Sequence, residues 1–377
     1  MLEVAHIIHR YGGEYLERYG DRIPVRHRRA MHDILTCRTP ARGGHAFTCD
    51  RCGHRVFAYH SCHNRHCPKC HGRHTAQWLV RQEADLLPVG YFHVVTTVPR
   101  ELHAVSRSHQ KIVYGLFMKA TAESLMTLAA DPRYVGGRIG VTAILHTWGR
   151  TLNYHPHVHC LVPGGGVDAD GRWREARKNF FVPVRALSVI LRAKVRDALA
   201  RELPDVHVPS RVWRKKWVVH CKPALQGART VLGYLGRYVH RVALANSRLV
   251  AIDDGQVTFR YQRCGESAWQ TMTLGAMEFL RRFLQHVLPK GLHKVRHYGL
   301  CHWSQRQTLR RLQQQRPAPP PSAEPIGPPQ GVGKPQPTPT ADPTTPRHPL
   351  EGQPCPACRN GTLVYVCRVA PEPWKPP

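Results

Sequence analysis

The chain has 377 residues, enough for roughly two or three domains of ordinary size, and 55 Lys+Arg against 25 Asp+Glu give it a formal charge of +30. Arginine dominates and is spread along the chain, so the field suits a polyanion, and nucleic acid is the usual one. No apolar run approaches about twenty residues and no amphipathic anchor is evident, which argues against a membrane-surface protein.

In chain order, residues 1–36 read as mainly helical, with Tyr11, Tyr15 and Tyr19 four apart and an Arg/His-rich stretch from Val25 to Leu35. Residues 37–75 hold a turn-rich Cys/His cluster. Tyr91–Val98 then reads as a strand closed by Pro99, followed by a helix from about Ser106 to Ala129 that Asp131-Pro132 stops. Two strands come next, Val141–Thr147 and His155–Val162, separated by the turn-like Trp148-Gly149-Arg150. A helix at Arg185–Arg201, a strand at Lys216–Cys221 and a helix over about Gly227–Leu244 complete the series. The order strand, helix, strand, strand, helix, strand predicts an α+β domain: an antiparallel sheet of split βαβ order with helices on one face. Residues 254–262 and 270–288 suggest a further strand pair and a helix. The run 317–349 contains 13 of the chain's 32 prolines and no apolar period, which marks a semi-extended linker. The expected domains are 1–80 (helical and zinc-binding), 85–250 (catalytic), 251–305 (a C-terminal part), 306–352 (linker) and 353–377 (a short tail).

Within the first domain, Cys49-x2-Cys52 is separated by fourteen residues from Cys67-Pro68-Lys69-Cys70. Two such knuckles bring four thiolates round a structural Zn2+, because each tight turn aims both sulfurs inward. Cys37, Cys62, His45, His54, His63 and His66 lie in the same segment, so a substituted ligand or a second zinc stays open. Arg65 and its basic neighbours favour a nucleic-acid surface there. Cys355 and Cys358 in the tail give only half a site, which leaves open a second, incomplete knuckle with Cys367 or simply reduced thiols. The N-terminus lacks the apolar core of a signal peptide, so a cytoplasmic protein is expected, with cysteines as metal ligands or reduced core residues.

The segment Asn153-Tyr154-His155-Pro156-His157-Val158-His159-Cys160 carries the chemistry. On a strand, His155, His157 and His159 share one face while Val158 and Cys160 point into the body of the sheet. Neutral imidazoles converging from a strand suit a divalent cation, Mg2+ or Mn2+ for phosphoryl chemistry. The third ligand stays open between His155 and His146 on the paired strand, with His240 behind them. Tyr234 and Tyr238 stand i, i+4 on a predicted helix, with Arg237 and Arg241 placed to meet phosphates. A tyrosine hydroxyl has a reference pKa of about 10 and is a weak nucleophile near neutrality, so attack on a phosphodiester needs a polarised phosphate and alignment.

Three segments together resemble the two-tyrosine rolling-circle transposases of bacterial insertion sequences, the insertion sequence ninety-one family of HUH endonucleases. They are His60-Ser61-Cys62-His63-Asn64-Arg65-His66-Cys67-Pro68-Lys69-Cys70, His155-Pro156-His157-Val158-His159 and Tyr234-Leu235-Gly236-Arg237-Tyr238. Phe279-Leu280-Arg281-Arg282-Phe283 and Arg296-His297-Tyr298-Gly299 are similar to the family's C-terminal part, and the likeness spans roughly residues 5–305. It implies an HUH-endonuclease-like fold behind a zinc domain, acting on single-stranded DNA at element ends and target, with His157 and His159 on the metal and Tyr234 and Tyr238 as nucleophiles. A rolling-circle replication initiator, or a non-enzymatic zinc-dependent nucleic-acid-binding protein, is the competing reading. The zinc cluster in front of the histidine strand favours the transposase.

Overall fold

The computed structural model describes residues 1–70, 79, 82–223, 236, 243–263, 266–315 and 348–373. Its contacts divide the chain into two compact units, Met1–Gly72 with Ala323–Pro377, and Arg73–Ser322.

The first unit opens on the helix Val4–Tyr19, whose Val4, Ile7, Ile8, Tyr11 and Tyr15 fall at the three- and four-residue spacing of one buried face. That face meets Ala30, Met31 and Ile34 of the helix Val25–Thr36. The two helices come close at Gly12, where a Cβ would lie 3.2 Å from both Ile8 and Met31. A hairpin follows, β1 (Gly44–Cys49) and β2 (Arg55–Tyr59), turning through Gly53 at φ 69°. The strand Leu363–Val369 pairs antiparallel with the other edge of β1, from Cys49 opposite Leu363 to Gly44 opposite Val369. The tail therefore supplies one of the three strands of this small sheet.

The second unit is built on β3 (Tyr91–Thr97), β4 (Gly140–Trp148) and β5 (Tyr154–Pro163). The ribbon β6 (Gly165–Val167) and β7 (Trp173–Glu175) leads away from β5, and β8 (Val219–Pro223) returns to the sheet. A separate three-stranded sheet follows, β9 (Leu249–Asp253), β10 (Gln256–Gln262) and β11 (Trp269–Gly275), capped by the helix Ala276–Leu284 through Phe259 and Phe279. β12 (Val295–Gly299) then closes the main sheet, whose order is β12-β4-β5-β3-β8, antiparallel throughout. Taken without β12, the four older strands have the split βαβ order that the sequence predicts. β12 was not expected and extends the β4 edge.

The helices Gln110–Ala130 and Val184–Glu202 cover one face of this sheet. Val113, Phe117 and Leu125 of the first and Leu187, Leu191 and Val195 of the second pack on Val94, Val141, Ala143, Leu145, Val158, Cys160 and Val162. Truncating Phe117, 1% exposed, would cost about 3–5 kcal/mol. Because strand side chains alternate, the apolar set on this face forces the intervening residues of β3, β4 and β5 to the opposite face. Those residues include His93, His146, His155, His157 and His159. The first helix begins at Gln110, after a separate short helix His103–Ser108, and not at Ser106 as its periodicity suggests. His109 interrupts it, with φ −118° and ψ 44°. Among the described residues, no helix is long and apolar enough to cross a membrane.

Candidate metal centres and nucleic-acid interface

β5 is an interior strand, and its neighbours decide what its histidines meet. His157 lies opposite His146 on β4 and Thr97 on β3, while His159 lies opposite Ile144 and Val95. Ring centroids are 5.4 Å apart for His146 and His157, 4.7 Å for His146 and His159, and 4.8 Å for His157 and His159. One nitrogen from each of the three lies within 4.8 Å of the others. Of the candidates for the third position, it is therefore His146 that joins the pair. His155 stands on the same face, its ring 5.1 Å from His157, but outside the cluster. His146 and His159 are buried at 3% and 6% exposure, whereas His157 is half-buried at the open side. Trp148 stacks on His146 at 4.9 Å and 17°, holding that ring on the shared face.

Hydrogen bonds set which ring nitrogen each histidine offers. His157 Nδ1–H donates to the carbonyl of His155 at 2.6 Å, leaving Nε2 with the lone pair. His159 Nδ1 lies 2.9 Å from His93 Nε2, with the two rings stacked at 5.1 Å and 5°. Ligating imidazoles are usually oriented in this way, through the nitrogen that does not touch the metal. Burial pushes His157 and His93 down to about 4, and lowers His155 as well. At neutral pH these rings are unprotonated, the form that can ligate.

The cysteines do not gather as their spacing suggests. The expected single site of Cys49, Cys52, Cys67 and Cys70 is replaced by two clusters: Cys37, Cys62, Cys67 and Cys70, and Cys49, Cys52, Cys355 and Cys358. The hairpin is the reason. Cys49 ends β1 at the turn, whereas Cys62–Cys70 follows β2 at the open end beside Gly44 and Tyr59. The six residues of β1 extend about 3.4 Å each, so the two knuckles stand at opposite ends of a strand. The alternating His45-Ala46-Phe47-Thr48 and Arg55-Val56-Phe57-Ala58-Tyr59 carried the signal of that hairpin, which the turn-rich reading of residues 37–75 missed.

In the first cluster, Cys37 comes from the end of the second helix, and its sulfur lies 3.5 Å from that of Cys70, as does the sulfur of Cys62. A tetrahedral Zn2+ with bonds near 2.3 Å requires sulfur separations of about 3.8 Å. Backbone N–H groups already point at the sulfurs: Cys62 N–H to Cys37 at 3.5 Å and Asn64 N–H to Cys62 at 3.4 Å. The Asn64 side chain donates to Asp33 at 2.9 Å and accepts from the His66 N–H at 2.9 Å, which fixes the loop. The four sulfurs cannot ionise independently. Hydrogen bonds from Cys62 and Cys67 pull the Cys37 thiol far down, and the same contact with Cys37 pushes Cys62 far up. A dication relieves that conflict by stabilising every thiolate at once.

Arg65 sits half-buried in this loop, and burial lowers its pKa, so it is not the fully solvated cation that a phosphate contact usually employs. Tyr234, Tyr238, Arg237, Arg241 and His240 lie outside the described residues. His93 was not singled out by the sequence reading, because a lone histidine in an apolar strand carries no spacing signal.

Residues 140–308 match the family described as "Putative transposase", and residues 7–98 match the "Transposase zinc-binding domain" family. A protein of Sinorhizobium fredii (strain NBRC 101917 / NGR234), "Putative transposase y4qJ", is 45% identical over 318 residues, 79% of each chain. The "Transposase for insertion sequence element IS801" of Pseudomonas savastanoi pv. phaseolicola is 32% identical over 286 residues, 71% of this chain and 68% of that one. No solved structure matches.

Proposed function

We propose that this chain, which belongs to the insertion sequence ninety-one family of transposases, cuts and rejoins single-stranded DNA at the ends of a mobile element. The observation that carries this reading is the cluster of His146, His157 and His159 on the face of the antiparallel sheet opposite the helices Gln110–Ala130 and Val184–Glu202. Three neutral imidazoles can hold a divalent ion, and Mg2+ or Mn2+ would fill the rest of its coordination shell there with water and phosphate oxygens. When bound there, the ion would polarise a phosphate oxygen and steady the departing 3′-oxygen.

The protein's own residues then divide the work. His93 and the His155 carbonyl hold His159 and His157 in the ligating tautomer. A tyrosine hydroxyl, Tyr234 or Tyr238, attacks phosphorus, the bond from phosphorus to the 3′-oxygen breaks, and the phenolic proton passes to solvent as the 3′-hydroxyl forms. The 5′-phosphotyrosine keeps the bond energy, so attack by another 3′-hydroxyl reseals DNA without ATP and frees the tyrosine. Arg237 and Arg241 would hold flanking phosphates, and the first thiolate cluster would hold structural Zn2+ in a domain that contacts DNA. The excess of positive charge supports DNA as the substrate. It also suits a cytoplasmic protein that associates with the nucleoid.

Covalent capture tests the proposal. Labelled single-stranded DNA from an element end, incubated with the full chain and Mg2+ or Mn2+, should give an adduct that survives denaturation and disappears with EDTA. Binding without any adduct in either metal would instead support a non-enzymatic DNA-binding protein.

A further inference from the structure

The second thiolate cluster joins Cys49 and Cys52, inside the matched zinc-binding segment 7–98, to Cys355 and Cys358, far outside it. Its four sulfurs come from two knuckles more than three hundred positions apart. Cys49 Sγ lies 3.7 Å from Cys358 Sγ, and Cys52 Sγ lies 3.7 Å from Cys355 Sγ. These separations are too long for disulfides, whose sulfurs bond at about 2.05 Å. They equal the edge of a tetrahedron with metal–sulfur bonds near 2.3 Å, about 3.8 Å.

The two knuckles have the same backbone construction. In one, the Gly53 N–H donates to the Cys49 carbonyl at 3.1 Å and the Cys49 N–H donates to His54 at 2.9 Å. In the other, the Arg359 N–H donates to the Cys355 carbonyl at 3.0 Å and the Cys355 N–H donates to Gly361 at 2.8 Å. Each has a left-handed residue directly after its second cysteine, Gly53 at φ 69° and Arg359 at φ 59°. N–H groups of Arg51 and Cys52 point at Cys49 Sγ at 3.4 and 3.5 Å. Asp50 clamps the pair from outside, accepting from the Thr362 N–H at 2.8 Å and the Thr362 hydroxyl at 2.7 Å. Gly361 leaves room for the sulfur, since a Cβ there would stand 2.5 Å from Cys49 Sγ.

We infer that Cys49, Cys52, Cys355 and Cys358 bind a second structural Zn2+, and that this ion fastens the C-terminal tail to the N-terminal unit. Cys367, the tail's remaining thiol, is exposed and not a ligand. The strand Leu363–Val369, paired along β1, is held at the end where the metal joins the two knuckles. A ring closed through the metal between residues about three hundred apart removes conformational freedom from the unfolded chain much as a long disulfide loop does. The tail is thus part of the N-terminal domain despite the proline-rich stretch before it.

Cysteine labelling of the full-length protein, purified without chelator, tests this without any substitution. Cys52 and Cys367 are both exposed. Brief alkylation followed by peptide mass spectrometry should label Cys367 at once and leave Cys52, Cys355 and Cys358 protected at least tenfold. A strong chelator should abolish that difference. Labelling of Cys52, Cys355 and Cys358 as fast as Cys367 before chelation overturns the inference. Cobalt substitution gives a second readout, because sulfur-to-cobalt charge-transfer absorption reports thiolate sites and not the histidine cluster. The full chain should show two equivalents of thiolate-bound cobalt, and C355S/C358S should show one. An unchanged value in that variant, or a single equivalent in the unaltered chain, also overturns it.

Discussion

His93 Nε2 lies 2.9 Å from His159 Nδ1, and this contact joins β3 to β5 on the face of the sheet that carries the histidine cluster. In the proposed metal site the lone pair of His159 Nε2 would face the ion, so Nδ1–H would donate a hydrogen bond to His93 Nε2. On that proposal His93 is a positioning residue, acting on the site through His159. We expect His93→Ala to weaken metal-dependent nicking about 10–100-fold, the usual effect of removing such an outer partner. The loss should appear mainly as a higher Mn2+ requirement, with partial recovery in His93→Gln. Unchanged metal dependence in His93→Ala would show that the contact does not orient His159.

Replacing the clustered imidazoles should separate the two metal chemistries. His157→Ala/His159→Ala, and His146→Ala alone, should lower nicking by about 10³-fold or more, because polarisation of a phosphate by a metal is worth several kcal/mol. Thiolate-bound zinc should remain in both. His155→Ala should lose far less, since the His155 carbonyl that orients His157 survives the change. A His146→Ala protein as active as wild type, beside an inactive His155→Ala protein, would move the third ligand to His155.

The tyrosines can be apportioned with phenylalanine, which keeps the ring and removes only the hydroxyl. Each of Tyr234→Phe and Tyr238→Phe should still form an adduct with a short oligonucleotide, while the double variant should form none. Full transposition, which requires repeated cleavage and joining, should fall in both single variants. An adduct in the double variant would exclude both residues as nucleophiles.

Acid should weaken the second unit through its buried histidines. His286 donates from Nε2 to the Leu152 carbonyl at 3.1 Å and accepts at Nδ1 from the Thr147 hydroxyl at 3.1 Å. Burial holds its pKa down at about 4, against 6.5 for an unburied histidine. Between pH 6.5 and 4 the unfolded chain therefore binds more protons than the folded one. The contribution of His286 is complete above about pH 6.5, declines as the pH falls, and changes no further below about 4. Hydrogen exchange of β4 amides should accelerate from pH 7 to pH 5, after correction for intrinsic rates, and less steeply in His286→Gln. Equal slopes for the two proteins would remove His286 as the cause.

Much of the second unit was legible from local pattern. Alternation in Tyr91–Thr97, Gly140–Trp148 and Tyr154–Pro163, broken by long helical periods, is the pattern of a split βαβ sheet, and the observed order follows it. Placement of His157 and His159 on one face follows from strand geometry alone. Choosing His146 over His155 required the β4–β5 register, and His93 required the β3–β5 register, because only cross-strand pairing brings those rings together.

The cysteines mark the boundary between the two kinds of information. By itself the sequence marked Cys49–Cys52 and Cys67–Cys70 as metal-binding knuckles, since each Cys-x-x-Cys turn sets its two sulfurs within a few residues, and left Cys355–Cys358 as half a site. Which pairs meet was decided only in the tertiary structure. β1 and β2 carry Cys49–Cys52 away from Cys67–Cys70, although the two pairs are close in sequence. Pairing of β1 with Leu363–Val369 brings Cys355–Cys358 to the vacated side, across more than three hundred residues. Local sequence encodes the direction of a turn, but a site shared between distant turns depends on strand pairing, whose partner no local pattern specifies.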